Sequence, residues 1–191
     1  MGDDLKPSQR QIEGYQRLQS ELEKESDRGA VLVGAAMLEE ALKDVLEAHL
    51  VPNPGSSDPL FDGPTAPLQS FSAKIDFGYR LGLISDRFCR DMHVIRRIRN
   101  TVAHRVAGCS FEDASIADRV KALTSSHGIF QRSPKWSAGR GEMNTRKQFI
   151  EAASWMLFFL HAEVDRVHRH GVRHLEFGYS VILDEPENPK E

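Results

Sequence analysis

Cysteine is nearly absent: Cys89 and Cys109 are the only two in 191 residues. They form no CxxC pair, so neither a disulfide framework nor a zinc site is expected from their spacing, and a reducing compartment fits. Long hydrophobic runs are also missing. The longest nearly uncharged apolar stretch, Ala152 to Leu160, is far short of a membrane span. The opening MGDDLKPSQRQ is polar and carries no apolar leader. The expected location is therefore the cytoplasm, with no membrane contact. Nor does one sign of charge dominate. Lys and Arg number 25 against 28 Asp and Glu, for a formal net charge of −3. The molecule as a whole is not drawn to nucleic acid or anionic lipid. No P-loop, GxGxxG or GxSxG occurs, and no cofactor is expected.

What is present is helical patterning. A chain of this length suits one domain, and such a domain buries roughly 70% of the surface its unfolded chain exposes. The expected architecture is an all-α bundle of about six helices, a single domain over residues 1–175 with a disordered tail at 176–191. A first helix is predicted from about Ser8 to Glu25, with a thin apolar stripe of Ile12, Tyr15, Leu18 and Leu22 that suits the bundle surface or a partner subunit. A second, about Asp27 to Leu50, opens on AVLVGAAML, apolar on every face, which predicts the central position. Gly29 and Gly34 in that run point to close approach of a neighbouring helix. The proline-rich segment Pro52 to Pro67 is a long loop.

A third helix is predicted over about Leu68 to Leu81. A fourth, capped by Ser85, runs to about Arg105 and is stopped by Gly108. Ser110 to Asp113 has the form of a capping box for a fifth helix. After a second long loop, Ser125 to Asn144, the last helix runs from about Thr145 to His170, with Gly171 as its C′ residue. HLEFGYSVIL then has the pattern of a short strand.

The fourth helix carries most of the candidate chemistry. Asp86 to Arg105 holds six arginines against two aspartates, whereas Glu21 to Glu47 holds eight acids against three bases. Mutual packing of two oppositely charged helices is one reading. An arginine face for phosphates, built on Arg96, Arg97 and Arg105, is the other. Arg99 falls within the stripe of Phe88, Met92, Ile95 and Val102, so a structural ion pair with Glu39 or Glu40 is expected. Arg96, Asn100 and His104 follow at i, i+4 and i+8 on a flanking row. No short helix-turn-helix with a basic second helix is present, so the arginines would position the protein on phosphates without reading bases. His168, His170 and His174 form a second basic cluster, but Gly171 breaks the helical register between His170 and His174, and no metal site is expected.

Two resemblances follow from these residues. Arg99-Asn100-Thr-Val-Ala-His104 resembles the R-x4-H signature of the HEPN superfamily, helical dimers that include metal-independent ribonucleases. That resemblance implies Arg99 on a phosphate, Asn100 as the polar neighbour common in the signature and His104 handling the proton of a 2′-hydroxyl. Across a wider span, ESDRGAVLVGAAMLEEALKDVL (Glu25 to Leu46), Leu60-Phe61, PLQSFSAKIDFGYRLGLIS (Pro67 to Ser85) and IRRIRNTVAHR (Ile95 to Arg105) together look like the mannitol-repressor family. This resemblance implies an all-helical fold and a regulator of transcription that works through a protein partner, such as a transcription factor, without catalysis. The alternatives are a ribonuclease using Arg99 and His104, and a repressor that binds DNA directly. The first helix's stripe and the motif row together predict a homodimer. Sedimentation at micromolar concentration checks this: a dimer is the expected species, and a monomer counts against it.

Overall fold

The computed structural model describes residues 9–105, 108–127 and 143–171. Among them six α-helices and no strand are found: α1 (Gln9–Lys24), α2 (Asp27–His49), α3 (Phe71–Arg80), α4 (Asp86–Ala103), α5 (Ala114–His127) and α6 (Thr145–Arg166). None of these helices is long and apolar enough to cross a membrane. The all-α bundle expected from the periodicity is the fold observed. The expected strand and the tail at 176–191 lie outside the described residues, as does most of the second long loop.

α2 sits at the centre and packs on α1, α3, α4 and α6. Its Leu38, Leu42 and Val45 meet Ile75 of α3, Ile95 and Ile98 of α4 and Phe149 and Met156 of α6 in one continuous core. The apolar run is not enclosed on every side, because Met37 remains 37% exposed and Ala36 beside it is exposed too. Gly34 faces Leu22 of α1 and Phe149 of α6, where an added Cβ would lie 3.5 and 3.6 Å from their side chains. The helices do come close, at ordinary contact distance, so glycine is tolerated here without being required. α1 is more embedded than its thin stripe predicts: Leu18 and Leu22 are fully buried, and the Tyr15 ring packs, tilted, against Trp155 of α6 at 4.9 Å.

Helix starts follow local capping chemistry. Ser26, Ser70, Ser85 and Asn144 each accept a backbone N–H from the third residue beyond, satisfying a donor that the first turn leaves without an in-helix partner. Ser70 places the start of α3 at Phe71, three residues later than expected. Before it, Leu68 is fixed by its amide to the Leu60 carbonyl at 2.8 Å and belongs to the loop. Ser110 to Asp113 forms a closed turn, with the Ser110 hydroxyl accepting from the Glu112 amide, and α5 begins only after it. α6 stops at Arg166 with Val167 in extended backbone, so Gly171 is not its C′ residue. Likewise α4 ends at Ala103 with His104 as its cap; Gly108 lies beyond, with φ +50.

One charged pair joins the helix ends. Arg146, in the first turn of α6, donates from Nη1 to Asp27 Oδ1 at 2.6 Å. From Nη2 it donates to the carbonyls of Leu22, Glu23 and Glu25 at the end of α1. Asp27 Oδ2 accepts the Phe111 amide at 3.0 Å. Burial pushes the Asp27 carboxyl up. The Phe111 amide and Arg146 pull it down further, and the net result lies below the ordinary value. A carboxylate depressed in the folded state adds stability that is complete above its unfolded-state pKa and is lost as pH falls through the folded one. Arg146→Ala is expected to cost about 1.5–3 kcal/mol, the range for charged hydrogen bonds. Asp27→Asn should remove part of the acid-induced loss of stability below about pH 4. Urea unfolding of the wild type and both variants across that pH range checks both statements.

Candidate functional site

α4 runs between two of its packing partners, α3 and α5, and its arginines divide by surroundings. Arg87, Arg90 and Arg97 are exposed. Arg90 and Arg97 are seven residues apart, so they lie within about 20° on the helix and about 10 Å apart along it. Arg96 and Arg99 are half-buried. Arg99 Nη1 donates to Asn100 Oδ1 at 3.1 Å, and Arg96 Nε is buried without a hydrogen-bond partner.

The expected partner of Arg99 is engaged elsewhere. Glu39 accepts from Lys74 Nζ at 2.8 Å, and Lys74 also donates to the Gln69 carbonyl. Glu40 is exposed. Among the described residues no ion pair joins an acid of α2 to an arginine of α4. Their shared face is apolar, in keeping with the desolvation cost of charges at a packed seam. Lys74 was not singled out in the sequence. It is 6% exposed, and nothing in its local pattern marks a buried lysine.

At its C-terminal end α4 is held by guanidinium groups. Arg28 donates to the Arg105 carbonyl at 2.6 Å and to the Ala103 carbonyl at 3.4 Å, placing a cation where the helix dipole is negative. Arg105 itself pairs with Asp113 and reaches Ser115 Oγ at 3.5 Å. Arg119 of α5 donates to Thr101 Oγ1 at 2.8 Å, and Thr101 donates to the Arg97 carbonyl at 3.0 Å. Of the three arginines expected to bind phosphate, only Arg97 stands in solvent; Arg105 is tied into the scaffold. His104 is exposed. It stands five positions after Arg99, which is about 140° round a straight helix, and the Arg99 guanidinium turns to its neighbour Asn100.

The first long loop is built, not trailing. Phe61 and Leu68 seat it on Leu46 in a small core of their own. Asp62 accepts the Asp58 amide at 2.8 Å, Asp58 accepts the Leu60 amide at 2.9 Å, and Asn53 donates to the Ser57 carbonyl at 2.8 Å. Between this loop, the end of α2 and Arg169 lies an open cavity of about 590 Å³. The basic segment after α6 folds back towards it: the His170 amide donates to the His49 carbonyl at 3.0 Å, and the two imidazoles meet edge to face at 4.3 Å. His168 and His170 follow the helix instead of ending it; His174 lies outside the described residues.

A further group was missed in the sequence. Asp76 of α3 and Cys89 and His93 of α4 bring one ligand atom each to within 4.8 Å of one another. The i, i+4 spacing of Cys89 and His93 is the signal that could have found it.

No family profile matches the chain, and no curated protein matches it at a significant level. Among solved structures, the fold is similar to a chain of the X-ray structure of the MtlR-HPr complex from Escherichia coli, with 19% identity and a TM-score of 0.53. The similarity covers 80% of this chain and 98% of that one. At this identity the likeness is one of fold. The clamp on α4 generates a prediction of its own: Arg28→Ala should lower stability by about 0.5–1.5 kcal/mol and speed amide exchange from Thr101 to Arg105. Hydrogen exchange read by mass spectrometry checks it, and unchanged exchange there would remove Arg28 from the capping role.

Proposed function

We propose that this protein is a non-catalytic regulator of transcription that acts by binding a protein partner, and that the partner is of the HPr kind. The observation that carries the reading is the fold shared with nearly the whole length of a chain solved in the MtlR-HPr complex. The mannitol-repressor pattern between Glu25 and Arg105 points the same way.

The surface best suited to such a partner is the outer face of α4. Arg87, Arg90 and Arg97 stand exposed there, on a helix whose other faces are fixed by α2, α3 and α5. A rigid helix with guanidinium groups on its outside suits an acidic or carbonyl-rich patch, since each group offers several donors in a planar fork. The two terminal regions of the helix have separate duties: the far end is occupied with holding the bundle, and the middle and near end are exposed. The reading needs no proton transfer at His104.

Calorimetric titration of purified HPr into the full chain tests the proposal. Saturable 1:1 binding is expected, weakened at least tenfold by Arg87→Glu with Arg97→Glu, with the melting temperature unchanged and with affinity falling as salt rises. Absence of binding at the highest attainable HPr concentration overturns the choice of partner. RNA cleavage in excess chelator that disappears in His104→Ala would overturn the non-catalytic reading itself.

A further inference from the structure

We infer that Asp76, Cys89 and His93 form a three-ligand site for a thiolate-preferring divalent ion of the zinc class. Cys89 and His93 are four residues apart on α4, so their side chains lie within about 40° of each other, one turn apart. Asp76 faces them from α3, with Oδ1 3.0 Å from His93 Nε2. All three ligand atoms lie within 4.8 Å of one another. In a tetrahedral zinc site, bonds of about 2.0–2.3 Å put ligand atoms roughly 3.3–3.6 Å apart. The widest separation therefore needs a closure of up to about 1.5 Å and the Asp76–His93 pair a slight opening, both within the reach of χ rotations.

The donor set names the class of ion. Thiolate and imidazole with one carboxylate is a borderline-soft set that suits zinc and cobalt and does not suit magnesium or calcium, which take oxygen. The side chain of Asp76 is 64% exposed while that of His93 is 20% exposed. The cluster is thus open to solvent on the α3 side, where a water would complete the tetrahedron. A bound ion would join α3 to α4 next to Arg87 and Arg90.

Cobalt(II) serves as the probe, titrated into the reduced full-length protein. The expected result is one equivalent bound, with a thiolate-to-cobalt charge-transfer band and d–d bands of tetrahedral intensity, both displaced by zinc. Cys89→Ser should abolish the charge-transfer band and Cys109→Ser should leave it intact. Asp76→Asn alters an exposed carboxylate and leaves the fold in place; it should weaken cobalt binding at least tenfold and abolish any rise in melting temperature that zinc gives the wild type. A charge-transfer band that survives Cys89→Ser, or no such band at saturating cobalt, overturns the inference. Binding that is lost only when His168 and His170 are replaced by glutamine would assign the ion to the segment after α6 and overturn it equally.

Discussion

The bundle depends on the pairing of Asp27 with Arg146. α1 ends at Lys24 and α2 begins at Asp27, so two antiparallel helices turn within two residues. The last carbonyls of α1 have no in-helix donors. Arg146 serves three of these carbonyls with one nitrogen and Asp27 with the other. The guanidinium suits this task because its donors are fixed in a plane; a lysine ammonium is a single point on a flexible stem. Asp27 then fixes the turn before α5 through the Phe111 amide. Phe111 is buried and packs on Phe149 at 5.2 Å, one turn past Arg146 on α6. One contact thus sets the relative positions of α1, α2, α5 and α6, and the large core residues fill the space it defines.

Charge is used differently from the way the composition of the two helices invites. α2 is acidic and α4 basic, yet they meet through Leu38, Leu42, Ile95 and Ile98. An ion pair at such a seam must recover the desolvation of both partners, and apolar packing at the same place has no such cost. The charges therefore go to helix ends and outer faces. Asp44 shows the consequence on α2: burial first, then the neighbouring charges of Glu40 and Glu47, raise its carboxyl above the ordinary value. His161 of α6 and then Lys43 of α2 oppose that rise, and Lys43 pairs with Glu47 at 3.4 Å and lies over the Phe61 ring. The relieving cations come from α6 and α2 and not from α4.

What could be read in the sequence was whatever depended on local pattern. The apolar run Ala30 to Leu38 marked the central helix, and Ser85 marked the start of α4, because burial and capping leave their trace within a few residues. Val167 keeps the apolar spacing, so the pattern alone carries the last helix on to His170. Nothing in that spacing shows that the chain turns extended at Val167 and bonds back to His49. Lys74 with Glu39, Asp27 with Arg146 and Asp76 with His93 were not legible, since each joins residues that only the fold brings together. The same limit explains Arg99. Its angular position within the apolar stripe correctly marked it as half-buried, but the identity of its partner depended on where Lys74 came to rest.

α4 is held at its two ends by different chemistry, and this bears on how its outer face can be used. At the C-terminal end Arg28, Arg105 with Asp113, and Arg119 with Thr101 are guanidinium contacts, which stay charged at any pH the protein meets. Towards the N-terminal end, His93 meets Asp76 of α3 beside Cys89. Imidazole, thiol and carboxylate change state with protons, oxidants or metal ions; a guanidinium does not. A binding surface on a helix is only as well positioned as the groups that hold that helix. The C-terminal half of α4, with Arg97, is held by these guanidinium contacts. The N-terminal half, with Arg87 and Arg90 on either side of Cys89, instead meets α3 through His93 and Asp76, so the two ends of the proposed partner surface are positioned by contacts of different kinds.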